Sequence, residues 1–207
     1  MRPTANDPYL YPGTNVLINI GNIRDKDALD RFEADATAMS IIALRRKPLT
    51  GPFDITRLQE THRRIFGRVY PWAGEFRKDI GMLAKNRSGF LVAYGPSVNI
   101  PFALPVVFAA LHAEDSLRDL NVDVFARRLA FFYSELDAIH PFREGNSRTL
   151  RVFTSDLAQA AGHSLDWSRV AQTDADRQLL HQARDRAVMR GDLYQLIAIL
   201  NSALRGI

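Results

Sequence analysis

His140-Pro141-Phe142-Arg143-Glu144-Gly145-Asn146-Ser147-Arg148-Thr149-Leu150-Arg151 sets a base, a carboxylate, a tight turn and two arginines within one short run. His140 is the only side chain here that is neutral near pH 7 and able to accept a proton, which makes it the candidate general base. Pro141 disfavours helix at the residue before it, so a helix reaching His140 should stop there. Phe142 is apolar in a polar loop and reads as an anchor into the core. Glu144 is a hard oxygen ligand of the kind Mg²⁺ uses alongside substrate phosphates. Gly145 permits the torsions of an anion-binding turn. Asn146 reads as a helix N-cap, with the motif helix running from there to about Ala161, its free amides and positive dipole end facing a phosphate. Arg148 and Arg151 share one face of that helix, and their forks match phosphate oxygens. A capped helix carrying arginines is by itself an ordinary solvated face. All these polar roles in one fixed order point instead to chemistry on a nucleoside triphosphate. The order H-P-F-x-E-G-N-x-R-x-x-R is not that of a P-loop.

Working outward, helical periodicity dominates the chain. Asp25 to about Arg46 reads as a helix with Leu29, Phe32, Ala36, Met39 and Leu44 on its core face, closed by Lys47-Pro48. Ile55 to Phe66 follows, capped by Asp54. Between Phe76 and Tyr94 the pattern changes to short β-prone pieces punctuated by Gly81, Arg87-Ser88-Gly89 and Gly95-Pro96, a hairpin. A third long helix is expected from Pro101 to Leu120. Asp123 should cap the next, whose stripe Phe125, Leu129, Phe132, Leu136 and Ile139 leads straight into His140. Gly162 ends the motif helix. Thr173 with Asp176 opens another, stopped at Gly191, and Asp192 to Leu204 is the last. The fold class is therefore all-α, about seven or eight helices with one small β-hairpin. We expect a single domain over 1–207, with an N-terminal arm 1–24, a core of about 25–205 and no linker or repeat.

The motif resembles the signature of the Fic family, H-P-F-x-[DE]-G-N-G-R-x-x-R, at every position but one. Asp7-Pro8-Tyr9-Leu10-Tyr11-Pro12-Gly13-Thr14-Asn15-Val16-Leu17 is similar to the opening of stand-alone Fic toxins and of secreted Fic effectors. Tyr70-Pro71-Trp72-Ala73-Gly74-Glu75-Phe76-Arg77 resembles the stretch before the family's flap, and His62 to Phe66 its I-H-x-x-[LI]-F helix. The likeness covers roughly residues 7 to 205.

The resemblance implies a Fic fold and a protein adenylyltransferase that moves AMP from ATP to a Ser, Thr or Tyr hydroxyl of a target protein. His140 would be the base, and Glu144 would hold Mg²⁺. Gly145, Asn146 and Ser147 would form the anion hole, and Arg148 and Arg151 would hold the β- and γ-phosphates. The hairpin, about 76–94, would be the flap to which a target segment adds as a strand, with Lys78, Ile80, Met82, Lys85 and Phe90 as docking candidates. The departure is Ser147, where the family has glycine. A positive φ there would strain serine, whereas a first helical residue accepts it and gains a hydroxyl donor; we read it as helical. In related Doc toxins a lysine at this position accompanies phosphate transfer, so phosphotransfer and a weakened binding module are the alternatives. Many Fic proteins carry an inhibitory helix [ST]-x-x-x-E-[GN], but Ser202-Ala203-Leu204-Arg205-Gly206 has arginine at the glutamate position. Thr56 to Thr61 approaches the pattern and lies on a core helix. The resemblance therefore implies a small separate antitoxin that supplies a glutamate to Arg148. It also implies targets like the ATPase subunits of type II topoisomerases.

Composition fits an enzyme of this kind. At 46% apolar and 24% charged the chain is globular. It has no cysteine, which excludes a disulfide framework and a thiol nucleophile. We expect a cytoplasmic protein, or one translocated into a host if part of a longer effector. Met1 to Asp7 has no apolar leader segment, and no stretch approaches a membrane span. The charge of +4 is spread over helices, with Arg45-Arg46-Lys47 ending one of them, so nucleic-acid binding is not expected. His62, His112, His163 and His181 form no metal-ligand spacing, and Trp72 and Trp167 read as packing anchors.

Overall fold

Each helix starts and stops where local chemistry allows. The computed structural model describes residues 7–86 and 88–206, the last two as backbone only. Residues 1–6, Arg87 and the Arg205 side chain, on which parts of the sequence reading fall, lie outside the described residues. Helix α1 (Lys26–Arg46) is capped by Asp25, whose carboxylate accepts from the Ala28 amide at 2.8 Å. Helix α2 (Ile55–Phe66) is capped by Asp54. Strands β1 (Leu83–Asn86) and β2 (Leu91–Tyr94) pair antiparallel, Leu83 opposite Tyr94. Then come α3 (Ile100–Ala113), α4 (Val122–Ile139), α5 (Asn146–Ala160), β3 (His163–Leu165), α6 (Asp174–Arg190), α7 (Tyr194–Ala203) and β4 (Leu204–Gly206). The described residues thus form seven α-helices, as the periodicity predicted. No helix among them is long and apolar enough to cross a membrane.

Four expectations are corrected. Met39 is 62% exposed, not in the core; it lies at the edge of the apolar stripe of α1. Helix α3 ends at Ala113, because Asp115, Ser116 and Leu117 all have positive φ, which buries Leu117 but cannot continue a right-handed helix. The cap of α4 is Asn121, which accepts from the Val124 amide at 3.0 Å, while Asp123 sits in the first turn where its charge suits the dipole. The last helix ends at Ala203 and not at Leu204, which instead opens β4 and pairs with β3 in a second two-stranded ladder. Strands of three residues carry too little periodicity to be read.

Helix α4 is the central element, packed against α3, α5, α6 and α7. Its Phe125, Leu129, Phe132 and Leu136 are almost fully buried, each contributing roughly 1.5–3 kcal/mol by burial. They belong to one apolar cluster with Phe142, Phe153 and Leu196. A second cluster joins the N-terminal arm, α1, α2 and the hairpin through Tyr9, Leu29, Phe66, Trp72 and Val92. The motif loop between α4 and α5 lies where the two meet.

Candidate active site

The α4 stripe ends at His140, which leaves the helix in a left-handed conformation, φ 49°, ψ 60°. Pro141 enforces that exit. The His140 ring is 2% exposed and stacks on Tyr94 of β2, centroids 3.8 Å apart. Its Nδ1 lies 3.6 Å from Oδ1 of Asp137, one turn back. Arg77 ties the base of the hairpin to this corner. It donates from Nε to the His140 carbonyl at 2.8 Å, from Nη2 to the Gly95 carbonyl at 2.6 Å, and from its amide to the Pro141 carbonyl at 2.8 Å.

The loop after His140 is held rigidly. Phe142 is buried as predicted, with its ring stacked on His62 at 3.9 Å. Asn146 is not the N-cap. Gly145, at φ 84°, takes that place, and Asn146 is the first helical residue. Its amide group instead staples the loop, accepting from the Phe142 amide at 2.9 Å and donating to the Phe142 carbonyl at 2.7 Å. A Cβ on Gly145 would lie 2.3 Å from the Phe66 ring, so only glycine fits. Ser147 is helical, which settles its two sequence readings in favour of the unstrained one. The amides that open α5 have no acceptor within the helix, as at any helix start.

His62, read from sequence as unremarkable, supports this loop. The Gly74 amide donates to its Nδ1 at 2.8 Å, so the ring proton sits on Nε2 and donates to the Glu144 carbonyl at 3.0 Å. Burial is the main cause that pushes the ring pKa down to about 4, which keeps it neutral.

Glu144 accepts from the Gly145 amide at 2.9 Å and from Lys85 Nζ of the hairpin at 3.3 Å. Burial opposes its charge, but Lys85, the Gly145 amide, Arg148 and His140 together outweigh this and bring the carboxyl down to about 2. No cluster of three metal-ligating side chains exists among the described residues. Glu144 would be a lone protein oxygen ligand, which suits Mg²⁺ bound mainly through phosphates.

Arg148 pairs through Nη2 with Glu33 of α1 and donates from Nη1 to Thr37 at 3.1 Å, over the face of Phe66. A carboxylate of its own chain thus already meets Arg148, the arginine expected to receive an antitoxin's glutamate. Tyr70 also donates to Glu33. A cavity of about 340 Å³ beside them has Glu33, Tyr70, Arg143 and Glu144 in its walls. Arg148 and Arg151 both face a second cavity of about 240 Å³, with Arg45 and Trp167. Arg143 is sequestered by an ion pair with Asp7 of the N-terminal arm at 2.7 Å.

The docking candidates divide. Met82 and Phe90 are exposed. Lys78 is exposed and pairs with Glu75 at 3.7 Å. Ile80 is buried and belongs to the second cluster, because it precedes β1 and turns under the hairpin; it is not a docking residue. Lys85 faces Glu144 rather than a target. Leu91, 67% exposed, was missed. So were Glu33, Asp137 and Arg184, which lie far from the motif in sequence or looked like ordinary helix charges. Only Asp137, three residues before His140 on one helix, was within reach of a spacing argument.

A model of the Fic/DOC family matches residues 52–158. Protein adenylyltransferase VbhT of Bartonella schoenbuchensis is 36% identical over 173 residues, 84% of this chain and 35% of that protein. The chain thus spans about a third of that relative's length. Probable protein adenylyltransferase y4lH of Sinorhizobium fredii is 39% identical over 167 residues, 80% of this chain and 82% of that one. Among solved structures, BepC of Bartonella tribocorum, a VirB-translocated effector with bound AMPPNP, superposes with a TM-score of 0.85 at 26% identity, covering 97% of both chains.

Proposed function

The chain belongs to the Fic/DOC family, and from that premise we propose that it is a protein adenylyltransferase that transfers AMP from ATP to a hydroxyl of a target protein. The observation that carries this reading is the loop between α4 and α5. It holds the imidazole of His140, the ionised carboxylate of Glu144 and the open amides of α5 at one corner, and braces them with Asn146, His62 and Arg77. A relative with AMPPNP bound and the same fold adds support for a nucleotide there.

In this reading the target hydroxyl gives its proton to His140 as its oxygen bonds to the α-phosphorus. The bond from that phosphorus to the β-bridging oxygen breaks, and pyrophosphate leaves. Glu144 would hold Mg²⁺, which when bound offsets phosphate charge. The amides of Asn146 and Ser147 receive phosphate oxygens. Arg148 and Arg151 take the leaving group, Arg148 only by exchanging Glu33 for phosphate. Nothing here forms a covalent enzyme intermediate. Catalysis is positioning and charge stabilisation. A bacterial toxin restrained by a small antitoxin that supplies a glutamate to Arg148 is the regulatory form we infer, with ATPase subunits of type II topoisomerases as the first targets to assay.

Labelled ATP tests the reaction. Label on a target protein from the α-phosphate and none from the γ-phosphate is the expected result, and γ-label alone would replace it with phosphotransfer. His140→Ala should lower transfer by roughly a hundred-fold or more, the usual scale for loss of a general base, while melting as the parent does. Unchanged labelling in that variant would remove His140 from the chemistry.

A further inference from the structure

Ser147, which stands where the Fic signature has glycine, is not an idle substitution in this chain. Its Oγ lies 2.8 Å from Nη1 of Arg184, a residue of α6 that is 1% exposed. A guanidinium has donors and no acceptor. The serine oxygen therefore accepts in this bond, and its own proton points elsewhere. No acceptor for that proton is found among the described residues, and Ser147, unlike its neighbour Asn146, is only partly buried. It is the second residue of α5, beside the amides to which the proposed function assigns phosphate oxygens.

Arg184 cannot itself turn towards a phosphate. Its other edge is clamped on Asp137, Nε to Oδ2 at 3.1 Å and Nη2 to Oδ1 at 2.9 Å, a two-point fork. The Tyr133 ring lies 5.5 Å from the guanidinium carbon. The guanidinium is thus fixed by α4 and presents one N–H to one hydroxyl. An oxygen that accepts from a fixed cation becomes a stronger donor through its own proton, because each bond in the chain polarises the next.

We propose that the Ser147 hydroxyl is an added phosphate ligand of the bound nucleotide, and that Arg184, anchored on Asp137, is the positioning residue that orients and polarises it. This rests on the nucleotide reading of the site. The lost glycine costs no backbone strain, since the position is helical, and the new side chain lengthens the row of donors at the start of α5 from amides alone to amides plus one hydroxyl.

Isothermal titration of the full chain with Mg²⁺ and AMPPNP tests it. Ser147→Ala and Ser147→Gly should each weaken binding by roughly ten-fold, the scale of one charge-assisted hydrogen bond, while Ser147→Thr, which keeps the hydroxyl, stays within about three-fold of the parent. Arg184→Lys should weaken binding in the parent and cause no further loss in Ser147→Ala, since a positioning residue has nothing left to position. If the parent binds and Ser147→Ala binds equally well, the ligand assignment is overturned and the nucleotide site stands. If Arg184→Lys costs the same in both backgrounds, its role is structural and the positioning claim is overturned. If the parent binds no AMPPNP, the nucleotide reading itself falls, and this inference with it. Should Arg184→Lys fail to fold, the comparison of Ser147→Ala with Ser147→Thr decides the ligand assignment alone.

Discussion

At Arg148 a guanidinium is engaged before any nucleotide arrives. Its two terminal nitrogens face Glu33 and Thr37, both on α1, and its plane covers Phe66. Glu33 and a triphosphate are anions competing for one fork. Replacing the carboxylate by an amide, Glu33→Gln, keeps a partner for Tyr70 and removes the competing charge. We expect AMPPNP affinity to rise by roughly three- to ten-fold, the net worth of one ordinary hydrogen bond. Affinity that stays level or drops on titration would mean that Glu33 holds Arg148 in its working position instead. The residues of the motif were legible because each has one distinctive chemical property: a titrating ring, a carboxylate, a residue without Cβ. The residues around them were not. Glu33 and Arg184 are ordinary charges on amphipathic helices, and only the fold shows that one meets Arg148 and the other meets Ser147.

The hairpin shows how much an element adds to its residues. Leu83 pairs with Tyr94 and Lys85 with Val92, so these four side chains share the face turned to the motif. That period of two puts Lys85 on Glu144 and Tyr94 on His140, and leaves Leu91 on the outer face. Asp185 of α6 accepts from Ser88 and holds the turn down. Met82, Phe90 and Leu91 form the exposed apolar rim. The double change Met82→Ser with Leu91→Ser should cut transfer to a protein target by roughly ten-fold, the weight of one or two interface anchors, with AMPPNP affinity unchanged. Equal loss of nucleotide binding would show that the rim serves the fold and not docking. Strand existence was readable from the turn residues. The inward facing of Lys85 needed the register, which no local signal marks strongly in four-residue strands.

Across the whole molecule, two apolar clusters are joined through the rings around His62. Phe142 of the α4 cluster lies on one side of it, and Phe66 and Trp72 of the second cluster stack nearby. The ring is neutral, with pKa about 4 in the folded chain against roughly 6.5 unfolded. A folded value below the unfolded one gives stability that is present above about pH 6.5 and is lost as pH falls towards 4. Urea unfolding at pH 7 and pH 4.5 should therefore show a decline that includes roughly 2–3 kcal/mol from His62, and His62→Gln should flatten the profile by that amount. An identical decline in the variant would place the acid sensitivity elsewhere. Helix number, the exit of the chain at His140 and the set of chemical groups gathered in residues 140–151 were determined by sequence alone, because periodicity, proline geometry and side-chain type act over one or two turns. The true cap of α5, the β3–β4 ladder, the burial of Ile80 and the pairings Glu33–Arg148 and Asp137–Arg184–Ser147 were decided only by tertiary structure. These depend on groups 37 to 115 residues apart in the chain, brought together by packing whose strength is summed over the core rather than written in any one segment.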